Sequence, residues 1–145
     1  MIKISKIADY ATVILAHLAA SQDELHNVAT IARDTFLPEP TVSKVLKMLN
    51  KADIVSSVRG AAGGYKMNKT ADEISVADII VAIEGPIALT ACVEASNDSC
   101  ALSQSCGVNG RWDDVNAAIE TALDNVTLRS MMTTKNTINL KENRA

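Results

Sequence analysis

The sequence predicts a mainly α-helical fold carrying one small β-hairpin, and three observations predict it. Apolar side chains recur at three- and four-residue spacing in several separate stretches, the pattern of one-faced helices. Two short β-prone runs, 54–58 and 65–67, flank a glycine-rich turn at 59–64. A polar segment, 92–106, shows neither helical nor strand period and holds all three cysteines, so it reads as a loop. At 145 residues and 48% hydrophobic, the chain suffices for one domain with an added arm and for a buried core. One Trp, two Tyr and one Phe leave that core to aliphatic side chains and alanine.

The first helix is expected over 5–20, with Ser5 as N-cap and Ile7, Ala11, Ile14, Leu15 and Leu18 on its inner face. Asp9 falls off that stripe and is free to face outward or toward a partner. Asn27 caps a second, short helix whose inner face is Val28, Ile31 and Ala32. A polar turn at Arg33-Asp34-Thr35 then leads to Phe36-Leu37-Pro38-Glu39-Pro40. A proline is tolerated in a helix's first turn, where its missing N–H has no intrahelical partner anyway. The third helix therefore starts near Pro40, with Val42, Val45, Leu46 and Leu49 buried and Thr41, Lys44, Lys47 and Lys51 on the other side.

A short helix, a tight turn and a helix with a basic outer face make a helix-turn-helix, although two packed helices of any small bundle would read alike. The hairpin that follows directly, with Arg59 at its tip, turns this into a winged helix. Glycine lets backbone approach a phosphate closely, and arginine suits a narrow minor groove. A nucleotide-binding loop would need a helix after the glycines and a Gly-Lys-Ser/Thr ending, and neither is present.

Ser75 opens a fourth helix, with Asp78 in position for a near capping box and Val76, Ile79, Ile80 and Ile83 as its apolar face. Gly85 and Pro86 end it. Trp112, Val115, Ile119 and Leu123 predict a long amphipathic helix from about Gly110 to Asn125, and Leu128, Met131 and Met132 a last short turn. The domain reading is thus a winged helix-turn-helix over 1–86, a cysteine loop over 87–109, a dimerisation helix and short turn over 110–132, and a flexible tail over 133–145.

The net charge of −3 hides a local excess. Between Thr41 and Lys69, six basic residues face Asp53 alone, a net of +5; between Thr70 and Asn125, Arg111 faces ten acidic residues, a net of −9. One basic segment in an acidic chain suggests a polyanion site, against the blander reading of a solvated face. No apolar run reaches the length of a membrane span and no leader precedes the first helix, so a cytoplasmic protein with no membrane partner is expected. No nucleophile–base pair, acid pair or cofactor fingerprint suggests an enzyme. His17, beside core positions, reads as a packed or surface histidine, and His26 as exposed.

Cys92, Cys100 and Cys106 lie eight and six residues apart on a loop able to fold back on itself. Soft thiolates favour zinc, copper(I) or an iron–sulfur cluster. Flanking Ser, Asn, Asp and Gln argue against a core role. A disulfide strands one cysteine and needs an oxidising compartment. Structural zinc usually shows close Cys-x-x-Cys pairs. These remain alternatives, and an iron–sulfur cluster is the preferred reading.

The wing run Val55-Ser56-Ser57-Val58-Arg59-Gly60-Ala61-Ala62-Gly63-Gly64-Tyr65, followed by three cysteines ending at residue 106, resembles the Rrf-two family of winged-helix transcription regulators over roughly 1–132. Within that family the likeness is strongest to regulators of Suf iron–sulfur assembly genes. The resemblance implies a homodimer whose C-terminal helices cross, bound to a palindromic site on double-stranded DNA. It implies Cys92, Cys100 and Cys106 as ligands of an iron–sulfur cluster, of four-iron or two-iron type. Arg59 matches the minor-groove arginine; Pro38, Pro40, Thr41 and Ser43 match recognition-helix positions that meet DNA, where Lys44 and Lys47 add basic contacts. IscR-like members carry a histidine ligand three residues after the last cysteine, where this chain has Asn109, a poor iron ligand. NsrR-like members use an aspartate of the partner's first helix, and Asp9 matches it, against the alternative of a solvated helix aspartate. Ala61-Ala62 replaces the Pro-Gly of close relatives, with no change of function expected. Two alternatives stand beside this reading: a nitric-oxide- or redox-sensing repressor of the same family, and, in another class, an iron–sulfur electron-transfer protein.

Overall fold

A computed structural model describes residues 2–132, so the expected tail over 133–145 lies outside the described residues. Six helices and a two-stranded hairpin follow one another: α1 (Lys6–Ala19), α2 (Val28–Thr35), α3 (Glu39–Lys51), β1 (Val55–Val58), β2 (Gly64–Met67), α4 (Val76–Glu84), α5 (Asp113–Asp124) and α6 (Leu128–Met132).

Ser5 caps α1, its Oγ accepting the Ala8 N–H at 3.2 Å. The expected stripe forms the centre of the core: Ala11, Ile14, Leu15 and Leu18 are buried against Ile31 of α2 and Val42, Val45, Leu46 and Leu49 of α3. Each large aliphatic residue buried this way stabilises the fold by about 1.5–3 kcal/mol. Asn27 caps α2 through its Oδ1, which accepts the Thr30 N–H at 2.8 Å.

The anticipated turn at Arg33-Asp34-Thr35 is instead the last turn of α2. The Thr35 hydroxyl donates to Ile31 O at 2.6 Å, so it is satisfied within the helix rather than in a turn. The reversal falls one residue later, at Phe36, in the left-handed conformation (φ 57°, ψ 29°). Pro38 is the N-cap of α3, with Pro40 inside the first turn, where no hydrogen bond is lost.

β1 and β2 pair antiparallel from Val55↔Met67 to Val58↔Gly64, burying Val55 and Met67 on the core side. A bridge not anticipated from the sequence extends this pairing. The His26 N–H donates to Tyr65 O at 2.9 Å and the Tyr65 N–H to His26 O at 2.8 Å, tying the hairpin to the α1–α2 connection. His26 is therefore half-buried rather than exposed.

In α4 both halves of the capping box form: the Ser75 Oγ accepts the Asp78 N–H and Asp78 Oδ2 accepts the Ser75 N–H. Its buried face is Ala77 and Ile79, with Val76, Ile80 and Ile83 half-buried, so the expected stripe is rotated toward Ala77 by packing on α1 and α3. The C-terminal helix is shorter than predicted. Trp112 is its N-cap, without a side-chain cap bond, and α5 runs for 12 residues. Its residues Val115, Ile119 and Leu123 stay exposed or half-buried, and Asn116 is its one buried residue. The last turn, α6, forms as expected and sends Leu128 into the core.

Candidate nucleic-acid interface and cysteine loop

The buried stripe of α3 decides what the helix shows to solvent. With Val42, Val45, Leu46 and Leu49 fully inside, Lys44 and Lys47 stand exposed on the opposite side, three residues apart. At the N-terminal end Pro38 and Pro40 are exposed, while Thr41 and Ser43 are half-buried. The Thr41 and Val42 N–H groups are taken up by Pro38 O at 3.0 Å.

Arg59 is exposed at the end of β1, beside Gly60 at φ +116°, a backbone state that L side chains rarely adopt. A Cβ on Gly63 would lie 2.1 Å from Val58 O and one on Gly64 2.7 Å from His26 O. The glycines thus make the turn tight and let the bridge to His26 close. Among the described residues, Lys44, Lys47 and Arg59 form no ion pair, which leaves three cations on the helix and wing for a polyanion. Two carboxylates elsewhere are held below their ordinary range. Asp34 is lowered mainly by the hydrogen bond from Arg33, with a 2.8 Å contact, and Glu73 mainly by the Thr70 N–H, with the Thr70 hydroxyl also bound at 2.8 Å.

The cysteine loop is pinned at its base rather than along its length. Asn116 of α5, 5% exposed, accepts the Leu89 N–H at 2.9 Å and donates to Ile87 O at 2.8 Å. Asp113 Oδ1 accepts the Glu94 N–H at 3.0 Å. Beyond those pins the chain passes through successive turns. Cys92, Cys100 and Cys106 are half-buried free thiols, and the Cys92 Sγ lies 3.2 Å from the Thr90 hydroxyl. Three accessible thiols suit a thiophilic centre by donor chemistry. Among the described residues, however, no three His, Cys, Asp or Glu side chains are gathered closely enough to hold a metal ion. Asn109 is exposed, its N–H donating to Cys106 O. Asp9 is exposed on α1, beside a groove of about 340 Å³ whose apolar wall includes Ile4, Val76, Ile80 and Met131.

Three residues of this region carry structure that their positions in the sequence did not signal. Asn116 sits on the side of α5 facing the loop. His26 serves through its backbone, which no side-chain pattern reports. Phe36 is held left-handed and 94% exposed at the turn before α3. A helix end followed by prolines could have flagged its position.

A helix-turn-helix with a glycine-built hairpin behind it and a basic outer surface defines a winged-helix transcription regulator rather than an enzyme. Comparison with known sequences and structures narrows this. The profile of the Rrf2 family, described as iron-dependent transcriptional regulators, matches residues 4–134, and the chain belongs to that family. It is 26% identical over 137 residues to the HTH-type transcriptional regulator NsrR of Bacillus subtilis, covering 94% of each chain. It is 31% identical over 101 residues to the regulator IscR of Pectobacterium atrosepticum, covering 70% of this chain and 60% of that one. Among solved structures it is similar to CymR, the global cysteine regulator of B. subtilis, with TM-score 0.67 and 30% identity over 91% of this chain and 97% of that one. It is also similar to T. potens IscR, with TM-score 0.63 and 30% identity over 90% of this chain and 86% of that one. No described helix is long and apolar enough to cross a membrane.

Proposed function

We propose that this Rrf2-family regulator is a cytoplasmic homodimer whose affinity for a palindromic promoter site is set by an iron–sulfur cluster, with iron–sulfur assembly genes of the Suf type as targets. The observation that carries this reading is the joining, in one chain, of a basic helix and arginine wing to a three-cysteine loop pinned at its base to α5. In this reading Pro38, Pro40, Thr41, Ser43, Lys44, Lys47 and Arg59 meet DNA. Cys92, Cys100 and Cys106 hold the cluster, and Asp9 of the other subunit is its fourth ligand. When bound, the cluster supplies a redox- and iron-sensitive crosslink of the loop. The chain's own part is to present three thiolates and a harder carboxylate, whose weaker hold on iron leaves one edge labile. Membership of a transcription-regulator family leaves the electron-carrier alternative without support.

The test is anaerobic purification with a visible spectrum and iron and sulfide counts, followed by gel shifts on the protein's own promoter with and without the cluster. Replacing any one cysteine by alanine abolishes the visible absorption. Asp9→Ala still assembles the cluster but loses it faster and with a changed spectrum. A parent protein that stays colourless after reconstitution with iron and sulfide removes the cluster from this reading. Unchanged spectra for Asp9→Ala, with changed spectra for Asn109→Ala, move the fourth ligand. The nitric-oxide-sensing reading draws on the end-to-end match to NsrR together with the exposed Asp9; it expects nitric oxide to release the protein from DNA more efficiently than iron depletion does.

A further inference from the structure

Phe36 is the chain's only phenylalanine, and neither its backbone nor its side chain serves the fold in the usual way. Its φ of 57° and ψ of 29° place it in the left-handed region that favours glycine. For a bulky aromatic residue that conformation is strained. The turn itself explains why some residue must adopt it. The Phe36 and Leu37 N–H groups both close on Ala32 O, and this reversal carries Leu37 back onto the core and launches α3 from Pro38. Any residue here could make those backbone bonds, and glycine would make them without strain. The ring adds nothing to the core, since Phe36 is 94% exposed. A large apolar side chain is therefore held out in solvent on a strained turn, immediately before Pro38, Pro40 and Thr41.

That place has a particular meaning in a helix-turn-helix, where the N-terminal end of the second helix reaches the base edges in the major groove. Lys44 and Lys47 are suited to phosphates, and phosphate contacts position a protein without reading sequence. The base-edge chemistry open to an exposed phenyl ring is apolar contact with the 5-methyl group of thymine. We propose that Phe36 is a sequence-reading residue of this regulator, packing its ring against a thymine methyl in the major groove beside the start of α3. The inference rests on the DNA-binding reading of α3 and the wing, and it assigns a direct major-groove base contact that their cations do not supply.

The test begins with the full-length protein selecting a duplex from a random-sequence library. Affinity for that duplex is then measured with each thymine replaced in turn by deoxyuridine, which removes only the methyl group. Phe36→Gly and Phe36→Asn keep residues that tolerate the left-handed turn, so neither should unfold the protein. Both should weaken binding to the selected duplex by about tenfold, the scale of losing one base-pair contact. At one thymine per half-site, deoxyuridine should weaken the parent by a similar factor and the Phe36 variants by almost none. If the Phe36 variants bind like the parent while Lys47→Ala weakens every duplex, this inference fails and the DNA-binding surface stands. If Lys47→Ala and Arg59→Ala also bind like the parent, the surface itself is misassigned and the inference falls with it. Weakened Phe36 variants with no thymine whose methyl shares the loss overturn the base-reading role.

Discussion

Lys47 and Arg59 stand for two kinds of DNA contact, and their variants should separate them. Lys47 is an exposed ammonium on the outer side of α3, suited to a phosphate. Lys47→Ala is expected to weaken all sequences alike and to lower the salt dependence of binding by about one released counterion. Arg59→Ala should lose most on operators with narrow A/T minor grooves; fluorescence anisotropy across a salt series on both kinds of duplex distinguishes them. Asp34 and Glu73 lead to a second expectation. Both have folded-state values below their unfolded ones, from the Arg33 contact and the Thr70 contacts respectively. Their contribution to stability is therefore present above the ordinary carboxylate range, near pH 4, and is lost as pH falls through the depressed values. Asp34→Asn with Glu73→Gln should lower the melting temperature slightly at pH 7, converge with the parent in acid, and so flatten the decline on the acid side. At this scale the sequence was legible wherever type alone decides exposure, as for the lysines of α3. It was silent where backbone conformation decides, as at Phe36 and in the main-chain pairing of His26.

Helices were legible because burial imposes a period. The stripes of α1 and α3 lie inside as expected, and the Ser75–Asp78 pair forms the box its spacing suggested. The end of α2 was misplaced because Arg33, Asp34 and Thr35 look like turn residues, whereas the helix runs through them and reverses only at Phe36, with the Thr35 hydroxyl satisfied by Ile31 O. The reach of α5 was overestimated because Trp112 fits its apolar period while the backbone does not start the helix before Asp113. The cysteine segment was legible as a loop, but its attachment was not, because two polar side chains of α5, Asn116 and Asp113, make the connections. Asn116→Ala strands the Leu89 N–H and Ile87 O, and the loss of a buried pairing of this kind costs about 1–3 kcal/mol. Urea denaturation should show that loss, and hydrogen exchange should show the amide of Leu89 opening while those of α1 stay protected.

For the molecule as a whole, the C-terminal helix presents apolar side chains that its own chain leaves uncovered. Trp112 and Val115 are each 43% exposed, and Val126 at the end of the helix is 40% exposed. A monomer that presents such a face should pair through it. Sedimentation velocity at micromolar concentration should show a dimer, and Val115→Glu should shift it toward monomer. A parent that sediments as a monomer at that concentration would remove the dimer from the proposed function. Two protomers reading DNA together would need half-sites about one helical turn apart, or a multiple of it.

The segment after α5 does not hang from the protein; it returns. The Val76 N–H donates to Val126 O and the Leu128 N–H to Ile74 O, both at 2.8 Å, and the Arg129 N–H donates to Ala71 O at 2.9 Å, while Leu128 sits wholly inside the core. The chain from Ser75 to Thr127 therefore forms a closed circuit, and the cysteine loop lies within it rather than beyond the domain. A protease that cuts this loop would make two bands on a denaturing gel yet one particle on a sizing column, because the smaller fragment remains plugged into the larger. Once unfolded, the nicked pair would have to find each other again. Its refolding rate would rise with concentration, where that of the intact chain would not.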